Sequence, residues 1–174
     1  MRTLTDHLAQ YAAYHLDPRN VATHVVGVPM IVLAVATLLA RPAWPVGDLP
    51  LSVATVVSLA CLVFYLRLDA RLGAAMAVWL AANLAVAHAL AGLPTATWLA
   101  WGVGLFVVGW AIQFLGHHFE GRKPAFVDDI LGLLIGPLFL LVKLSFAFGL
   151  RPALKAEIGG RLQRSTAVSV AAPA

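Results

Sequence analysis

The sequence contains few charged residues and almost no cysteine. Charged residues make up 11% of its 174 residues, whereas soluble domains carry roughly 25%. Hydrophobic residues make up 61%, and the mean hydropathy is +0.86. This composition excludes an ordinary soluble domain and predicts an integral membrane protein folded as one bundle. The single cysteine, Cys61, excludes a disulfide framework and a cysteine-ligated zinc site.

The N-terminus and the net charge exclude two further classes. Residues 1–15 lack an apolar core followed by a small-residue cleavage site, so we expect no cleaved signal peptide. The net charge of +4 and the pI of about 9.7 are typical of nucleic-acid binding. In a membrane protein, however, basic residues mark the cytoplasmic side. We therefore expect no nucleic-acid partner.

Four apolar stretches have the length of membrane-spanning helices, which need about 20 apolar residues. They cover residues 21–40, 49–66, 72–93 and 97–115. Short links join them, so consecutive spans are expected to be antiparallel neighbours. The residues before the first span are predicted to form a short interfacial helix. Asp17 suits an N-cap and Pro18 a first helical position, so a new helix is expected to begin there.

A fifth apolar stretch, residues 126–150, is predicted to form a broken hairpin that re-enters the membrane. It opens on Asp128 and Asp129, which are costly in lipid, and Pro137 is expected to break it. With both termini cytoplasmic, the hairpin leaves every lysine and arginine except Arg41 on the cytoplasmic side, as the positive-inside tendency favours. A fifth crossing is the alternative.

The predicted fold is therefore an all-α integral membrane bundle with four transmembrane helices, an interfacial N-terminal helix and a C-terminal re-entrant hairpin. Residues 1–155 are expected to form one catalytic domain. Residues 156–174 are expected to form a cytoplasmic tail that is disordered at its end. Gly132 and Gly136 are a small-xxx-small pair that permits a homodimer. The expected membrane is the inner membrane of a bacterium or the endoplasmic reticulum of a eukaryote.

Four of the six histidines are expected to lie near one membrane face. They stand at the end of the interfacial helix, inside the first span and at the end of the fourth span: His15, His24, His117 and His118. Polar side chains at such depth usually face the bundle interior and often mark function. Neutral imidazole and carboxylate suit iron, zinc or manganese. This group is therefore a candidate metal site.

Neighbouring residues have the spacing needed to support these histidines. Asn20 precedes His24 by four residues and Tyr11 precedes His15 by four, so each pair shares a helix face. Asn20 is expected to orient the His24 ring by hydrogen bonding.

The fourth span ends in a second polar group. His117 and Glu120 are three residues apart and share a face. His117 and His118 point about 100° apart, so one straight helix does not aim both at one ion. Arg122 and Lys123 follow, either as contacts for an anionic group or only as markers of the cytoplasmic side.

Three other polar residues are interpreted as structural. His7 is expected to be an interfacial anchor, and His88 lies toward the opposite membrane face. Asn83, in the middle of the third span, is expected to make a helix–helix hydrogen bond.

Two motifs together resemble those of a known family. "YHLDPRNVATHVVGVP", residues 14–29, resembles the opening motif of the 2-hydroxy fatty acid dioxygenase family. "GWAIQFLGHHFEGRKPAFVDD", residues 109–129, resembles its second motif. The resemblance extends from about Leu4 to Leu154. Members are small polytopic membrane proteins of the fungal endoplasmic reticulum and of bacterial membranes.

The resemblance implies an enzyme of fatty acid alpha-oxidation. It implies dependence on iron(II), one per chain, and use of molecular oxygen to shorten 2-hydroxy fatty acids by one carbon. The implied iron ligands are His15, His24 and His117, with His118 as a possible fourth.

The resemblance and the local chemistry also suggest roles around the ligands. Candidate catalytic residues are Glu120 and Arg122, candidate substrate contacts are Arg122, Lys123 and Tyr11, and candidate supporting residues are Asn20 and Gln113. A 2-hydroxy acid chelates iron through its hydroxyl and carboxylate, which would bring the two substrates together. The acyl tail is expected to lie along apolar helix faces and to be reached from the lipid.

Two rival functions remain open at this point. A two-iron lipid hydroxylase or desaturase usually needs more histidines, in several closely spaced clusters. A small transporter or scaffold that handles lipids or metal ions would show no chemistry at the histidines. The sequence has no obvious internal repeat of the kind found in many transporters, which weakly disfavours transport.

Overall fold

The computed structural model describes residues 2–46 and 49–171, with side chains except at 49–50 and 165–171. Helices dominate it, which confirms the predicted all-α fold. In chain order they are α1 (Leu4–Ala12), α2 (Pro18–Leu39), α3 (Val53–Leu68), α4 (Ala70–Ala91), α5 (Thr95–Glu120), α6 (Gly132–Ala147) and α7 (Pro152–Ala171). A 3-10 turn, Ala125–Val127, precedes α6. The strands β1 (Ala43–Val46) and β2 (Leu49–Ser52) pair antiparallel, with Ala43 opposite Ser52.

Three helices of the described chain are long and apolar enough to cross a membrane. They are α2, α4 and α5, with mean hydropathies of 2.1, 1.7 and 1.7. The predicted second span, residues 49–66, is corrected at its start, because α3 begins only at Val53 and has 16 residues. Ser52 and Thr55 form a capping box there. Hydropathy alone does not distinguish an apolar strand from the start of a helix.

The C-terminal part of the chain forms a bent helix pair, as predicted, but the bend lies at the end of the apolar stretch 126–150 and its second helix, α7, lies beyond that stretch. Helices α6 and α7 meet at 118°. Helix α6 runs unbroken through Pro137, so the predicted break at that residue is wrong. Pro137 is the sixth residue of α6, where its missing N–H removes the hydrogen bond to the Leu133 carbonyl, and the helix continues to Ala147. The chain turns instead at Gly149 (φ 71°) and Arg151 (φ 58°). Re-entry into the same membrane face stays a prediction.

An ion pair holds this bend against the rest of the bundle. Arg151 donates two hydrogen bonds of 2.7 Å to the carboxylate of Asp69, between α3 and α4. These bonds lower the pKa of Asp69 to about 2, so the carboxylate is ionised at neutral pH. Beyond the bend, helix α7 packs on α1. There Ile158 of α7 is buried in the same hydrophobic cluster as Leu8 of α1. Residues 156–171 of the predicted tail are helical, and residues 172–174 lie outside the described residues.

Helix α2 lies at the centre of the bundle and packs antiparallel along α5. Gly27 and Gly109 face each other at this contact. A Cβ on Gly27 would lie 3.0 Å from the Gly109 carbonyl oxygen, and one on Gly109 would lie 3.2 Å from the Gly27 carbonyl oxygen. Small residues let helix backbones approach closely. The start of α2 is thereby held against the end of α5, where the predicted ligands lie.

The glycine pair of α6 is used inside the chain. A Cβ on Gly136 would lie 2.9 Å from the Tyr11 hydroxyl oxygen, and one on Gly132 would lie 3.1 Å from the Phe126 backbone nitrogen. Both glycines therefore allow α1 and the 3-10 turn to pack against α6. A homodimer through this pair stays a prediction.

Candidate metal centre

Three of the four candidate histidines meet in one buried cluster. His15, His24 and His117 are 3%, 4% and 6% exposed. Each offers one ring nitrogen, and these nitrogens lie within 4.8 Å of one another. The closest approach is 3.0 Å, between Nε2 of His15 and Nε2 of His24. Three ring nitrogens this close together can bind one metal ion.

The turn between α1 and α2 brings the first two histidines together. Asp17 caps α2 through a hydrogen bond of its side chain with the Arg19 N–H, and Pro18 is the first helical residue. This confirms the predicted helix start. Because the chain changes direction here, His15 in the turn and His24 inside α2 share one point despite the nine residues between them.

Main-chain carbonyls fix the orientation of two rings. Nδ1 of His15 lies 2.7 Å from the Tyr11 carbonyl oxygen, and Nδ1 of His24 lies 2.8 Å from the Asn20 carbonyl oxygen. A carbonyl only accepts, so Nδ1 carries the hydrogen in each neutral ring and Nε2 presents a lone pair. Two lone pairs facing each other across 3.0 Å repel unless a cation lies between them.

The donor set fits a metal ion. Nδ1 of His117 is buried and has no hydrogen-bond partner among the described residues, which is costly unless a ligand satisfies it. Burial lowers the pKa of His15 to about 4, so this ring is neutral and able to ligate at neutral pH. Three imidazoles suit iron or zinc and leave positions open for other ligands.

Glu120 fixes the loop that carries His15. Its carboxylate accepts hydrogen bonds from the backbone N–H groups of Leu16 (2.8 Å) and Asp17 (2.9 Å). It also accepts one of 3.0 Å from the side chain of Asn20. The end of α5 is thus tied to the turn before α2. These contacts position the ligands, and a catalytic role for Glu120 stays a prediction.

Replacing Glu120 by glutamine is expected to weaken metal binding by about 10- to 100-fold, the usual cost of losing a group that supports a ligand. The amide has one acceptor oxygen where the carboxylate has two, and its NH2 group faces donors. Isothermal titration of the metal-free protein with iron(II) or zinc measures the change. Glu157→Gln is the matched control, since Glu157 pairs with Arg161 on α7. Equal affinities in the two variants would contradict this role for Glu120.

The supporting residues lie beside the cluster, with contacts that differ from those expected. Asn20 orients His24 through its main-chain carbonyl, while its side chain donates to Glu120 and to the Tyr14 carbonyl. The Tyr11 ring stacks on His15, with centroids 4.1 Å apart. Gln113 is buried next to the cavity described below. The side-chain identity of Asn20 therefore matters for the loop rather than for the His24 ring.

Three candidate residues lie away from the cluster. His118 is exposed and lies outside the histidine cluster. Arg122 donates to the Ala13 carbonyl (2.9 Å), and Lys123 pairs with Asp128 (2.6 Å). Both cations line a separate surface pocket. Their roles as ligand or substrate contacts stay predictions, and the geometry gives them other partners.

An apolar cavity of about 410 Å³ extends from the histidines into the bundle, within the roughly 300–1,000 Å³ of ligand pockets. His15, His24 and His117 line one end. Leu39, at the end of α2, and Ala54, at the start of α3, line the other. The wall along α2 therefore covers roughly 22 Å at about 1.5 Å per residue.

Few of the residues that line this cavity could be predicted from the sequence. Asn83, expected to make a helix–helix hydrogen bond, lies in the cavity wall, as do Cys61, Ser58 and Trp110. Hydropathy marks all of their helices as apolar on every side. Which side faces inward depends on helix packing, so only isolated polar residues such as Asn83 and Gln113 were usable signals. His88 lies outside the cluster, near Ser52 (3.4 Å).

Fold and cluster together define a helical membrane protein with a buried three-histidine site at the head of an apolar cavity. The family described as "2-hydroxy-palmitic acid dioxygenase Mpo1-like" matches residues 1–148, and the chain belongs to it. The chain is similar to the 2-hydroxy-palmitic acid dioxygenase MPO1 of Saccharomyces cerevisiae, with 33% identity over 158 residues. The match covers 89% of this chain and 87% of the yeast protein. No solved structure matches.

Proposed function

We propose that the protein is an iron(II)-dependent dioxygenase that cleaves the C1–C2 bond of 2-hydroxy fatty acids, with one iron per chain. The observation that carries the proposal is the three-histidine cluster at the head of an apolar cavity. The name of the yeast relative supports the substrate class. The reaction balances with one O2: the products are an acid one carbon shorter, CO2 and water.

The histidines hold the metal, and the helices hold the acyl chain. His15, His24 and His117 are the proposed ligands. Main-chain carbonyls orient the rings of His15 and His24, and Glu120 holds the loop that carries His15. Bound iron(II) would supply the centre at which oxygen and the 2-hydroxy acid meet. In this proposal the substrate carboxylate lies at the histidine end of the cavity. Arg122 and Lys123 are not its expected contacts, because they bond to other groups outside the cavity.

The cavity suits a long acyl chain. An extended carbon chain with bonds of about 1.5 Å advances roughly 1.25 Å per carbon. The roughly 22 Å of wall between His24 and Leu39 therefore accommodates on the order of 16 to 18 carbons. Apolar burial along this length would contribute about 0.8 kcal/mol per methylene.

The substrate enters from the bilayer in this proposal. Four cavity-lining residues from different helices are also exposed: Val35 (37%), Val57 (43%), Phe106 (38%) and Leu133 (44%). All four are apolar, so a mouth at these residues would face lipid more favourably than water. A fatty acid dissolved in the membrane can pass through this mouth without exposing its tail to water.

The test is product analysis by mass spectrometry. Purified protein in detergent is given 2-hydroxypalmitate and air, with and without iron(II). We expect a 15-carbon acid only with iron, with one O2 consumed per product. Palmitate is the matched substrate without the hydroxyl. A folded, iron-loaded protein that forms no shorter acid would overturn the proposal and favour a transporter or scaffold.

A further inference from the structure

Gln113 has a buried amide oxygen that none of the described residues satisfies. It is 4% exposed and lines the cavity. Its Oε1 atom has no hydrogen-bond partner within the part of the chain that the structure describes. Leaving such an acceptor unpaired in an apolar site costs about 1–3 kcal/mol. A buried amide of this kind calls for a ligand that completes it.

The amide lies at the metal end of the cavity. Gln113 precedes His117 by one helical turn on α5, so both side chains share a face. The Gln113 amide packs against α2 at Gly27. A side chain at this position would crowd it, because a Cβ there would lie 3.0 Å from Gln113 Nε2. The metal ligand and the amide therefore line the same wall, next to where the head of the substrate would bind.

The unpaired Oε1 atom of Gln113 can bind only one of the two polar groups of a 2-hydroxy acid. Oε1 accepts hydrogen bonds and does not donate them. An ionised carboxylate also only accepts, so of the two head groups the hydroxyl alone can donate to Oε1. An unsubstituted fatty acid has an apolar methylene at C2 and would leave the amide oxygen unpaired. A site built to bind a hydroxyl rejects the analogue that lacks it.

We propose that Gln113 recognises the 2-hydroxyl group and is the residue that selects 2-hydroxy acids over unsubstituted fatty acids. The inference rests on the proposed function. It differs from support of the histidines, because a supporting residue would change metal binding, whereas Gln113 is expected to change only the choice between the two acids.

The test measures binding without turnover. Metal-loaded protein is titrated in the absence of oxygen with 2-hydroxypalmitate and with palmitate, each competing against a fluorescent fatty acid. We expect Gln113→Met, which keeps the length but removes the amide, to bind 2-hydroxypalmitate about 10-fold more weakly. Palmitate binding should be unchanged or tighter, and the metal content should equal that of the wild type.

Two further variants keep the test decisive. Gln10→Met makes the same exchange on α1, where Gln10 Oε1 accepts a hydrogen bond from Arg2 outside this cavity, and it should keep the wild-type preference. Gln113→Asn retains the amide but withdraws it by one methylene, so it should also lose preference and serves if Gln113→Met does not fold. A wild-type preference in the folded Gln113 variants would overturn the inference. Absence of any shorter product from the wild type would instead overturn the proposed function.

Discussion

Replacing His24 by alanine is expected to abolish metal binding and oxygen-dependent turnover while leaving the helical bundle folded. His24 supplies one of three nitrogens, and its Nε2 lies 3.0 Å from that of His15. Loss of a ligand should weaken metal affinity by more than the roughly 10- to 100-fold that follows loss of a supporting group. Metal content after dialysis, helical circular dichroism and product formation measure the three effects.

The adjacent histidines of α5 provide the control. His118→Ala removes an exposed imidazole next to His117 but outside the cluster, and it should keep wild-type metal content. His117→Ala should behave like His24→Ala. If His118→Ala lost the metal and His117→Ala retained it, the ligand set described here would be wrong. This comparison decides between two neighbours that the sequence leaves as alternatives.

The sequence predicts the helices and turns that carry the site better than it predicts the contacts between them. Asp17 and Pro18 carry strong local signals for a helix start, so the turn that joins His15 to His24 could be expected. The bonds of Glu120 to Leu16 and Asp17 join residues more than one hundred positions apart. No local pattern encodes such a contact, because it depends on how α5 packs against α2.

The same limit explains the errors in the fold. Pro137 carries a strong helix-breaking signal, but its cost depends on its place in the helix, which the sequence does not mark. The true turn lies at Gly149 and Arg151, where the bonds of Arg151 to Asp69 hold the chain. Local sequence signals predict a helix end well where a capping residue is present. They predict it poorly where an ion pair with a distant residue determines the direction of the chain.

The geometry of the site depends on one glycine between the two helices that carry ligands. Gly116 and Thr23 each directly precede a ligand, His117 on α5 and His24 on α2. A Cβ on Gly116 would lie 2.0 Å from Thr23 Oγ1 and 2.5 Å from Asn20 Oδ1. These distances are far too short, and the Asn20 side chain is held by Glu120. An added side chain therefore requires the Thr23 and Asn20 side chains to move or the two helices to separate.

Gly116→Ala is therefore expected to weaken metal affinity by at least about 10-fold and to destabilise the protein by about 1–3 kcal/mol through overpacking. Metal titration and thermal unfolding in detergent measure the two effects.

Gly104→Ala is the matched control on the same helix, because its Cβ would meet nothing within 4 Å. Alanine has the higher helix propensity, so this control should be as stable as the wild type or more stable. The double variant Gly116→Ala/Thr23→Ala lacks the closest contact of the added Cβ. It should therefore bind the metal more tightly than Gly116→Ala alone. If the effects of the two substitutions were independent, the second would not restore affinity. Wild-type affinity in Gly116→Ala itself would show that the separation of α2 and α5 does not control the metal centre.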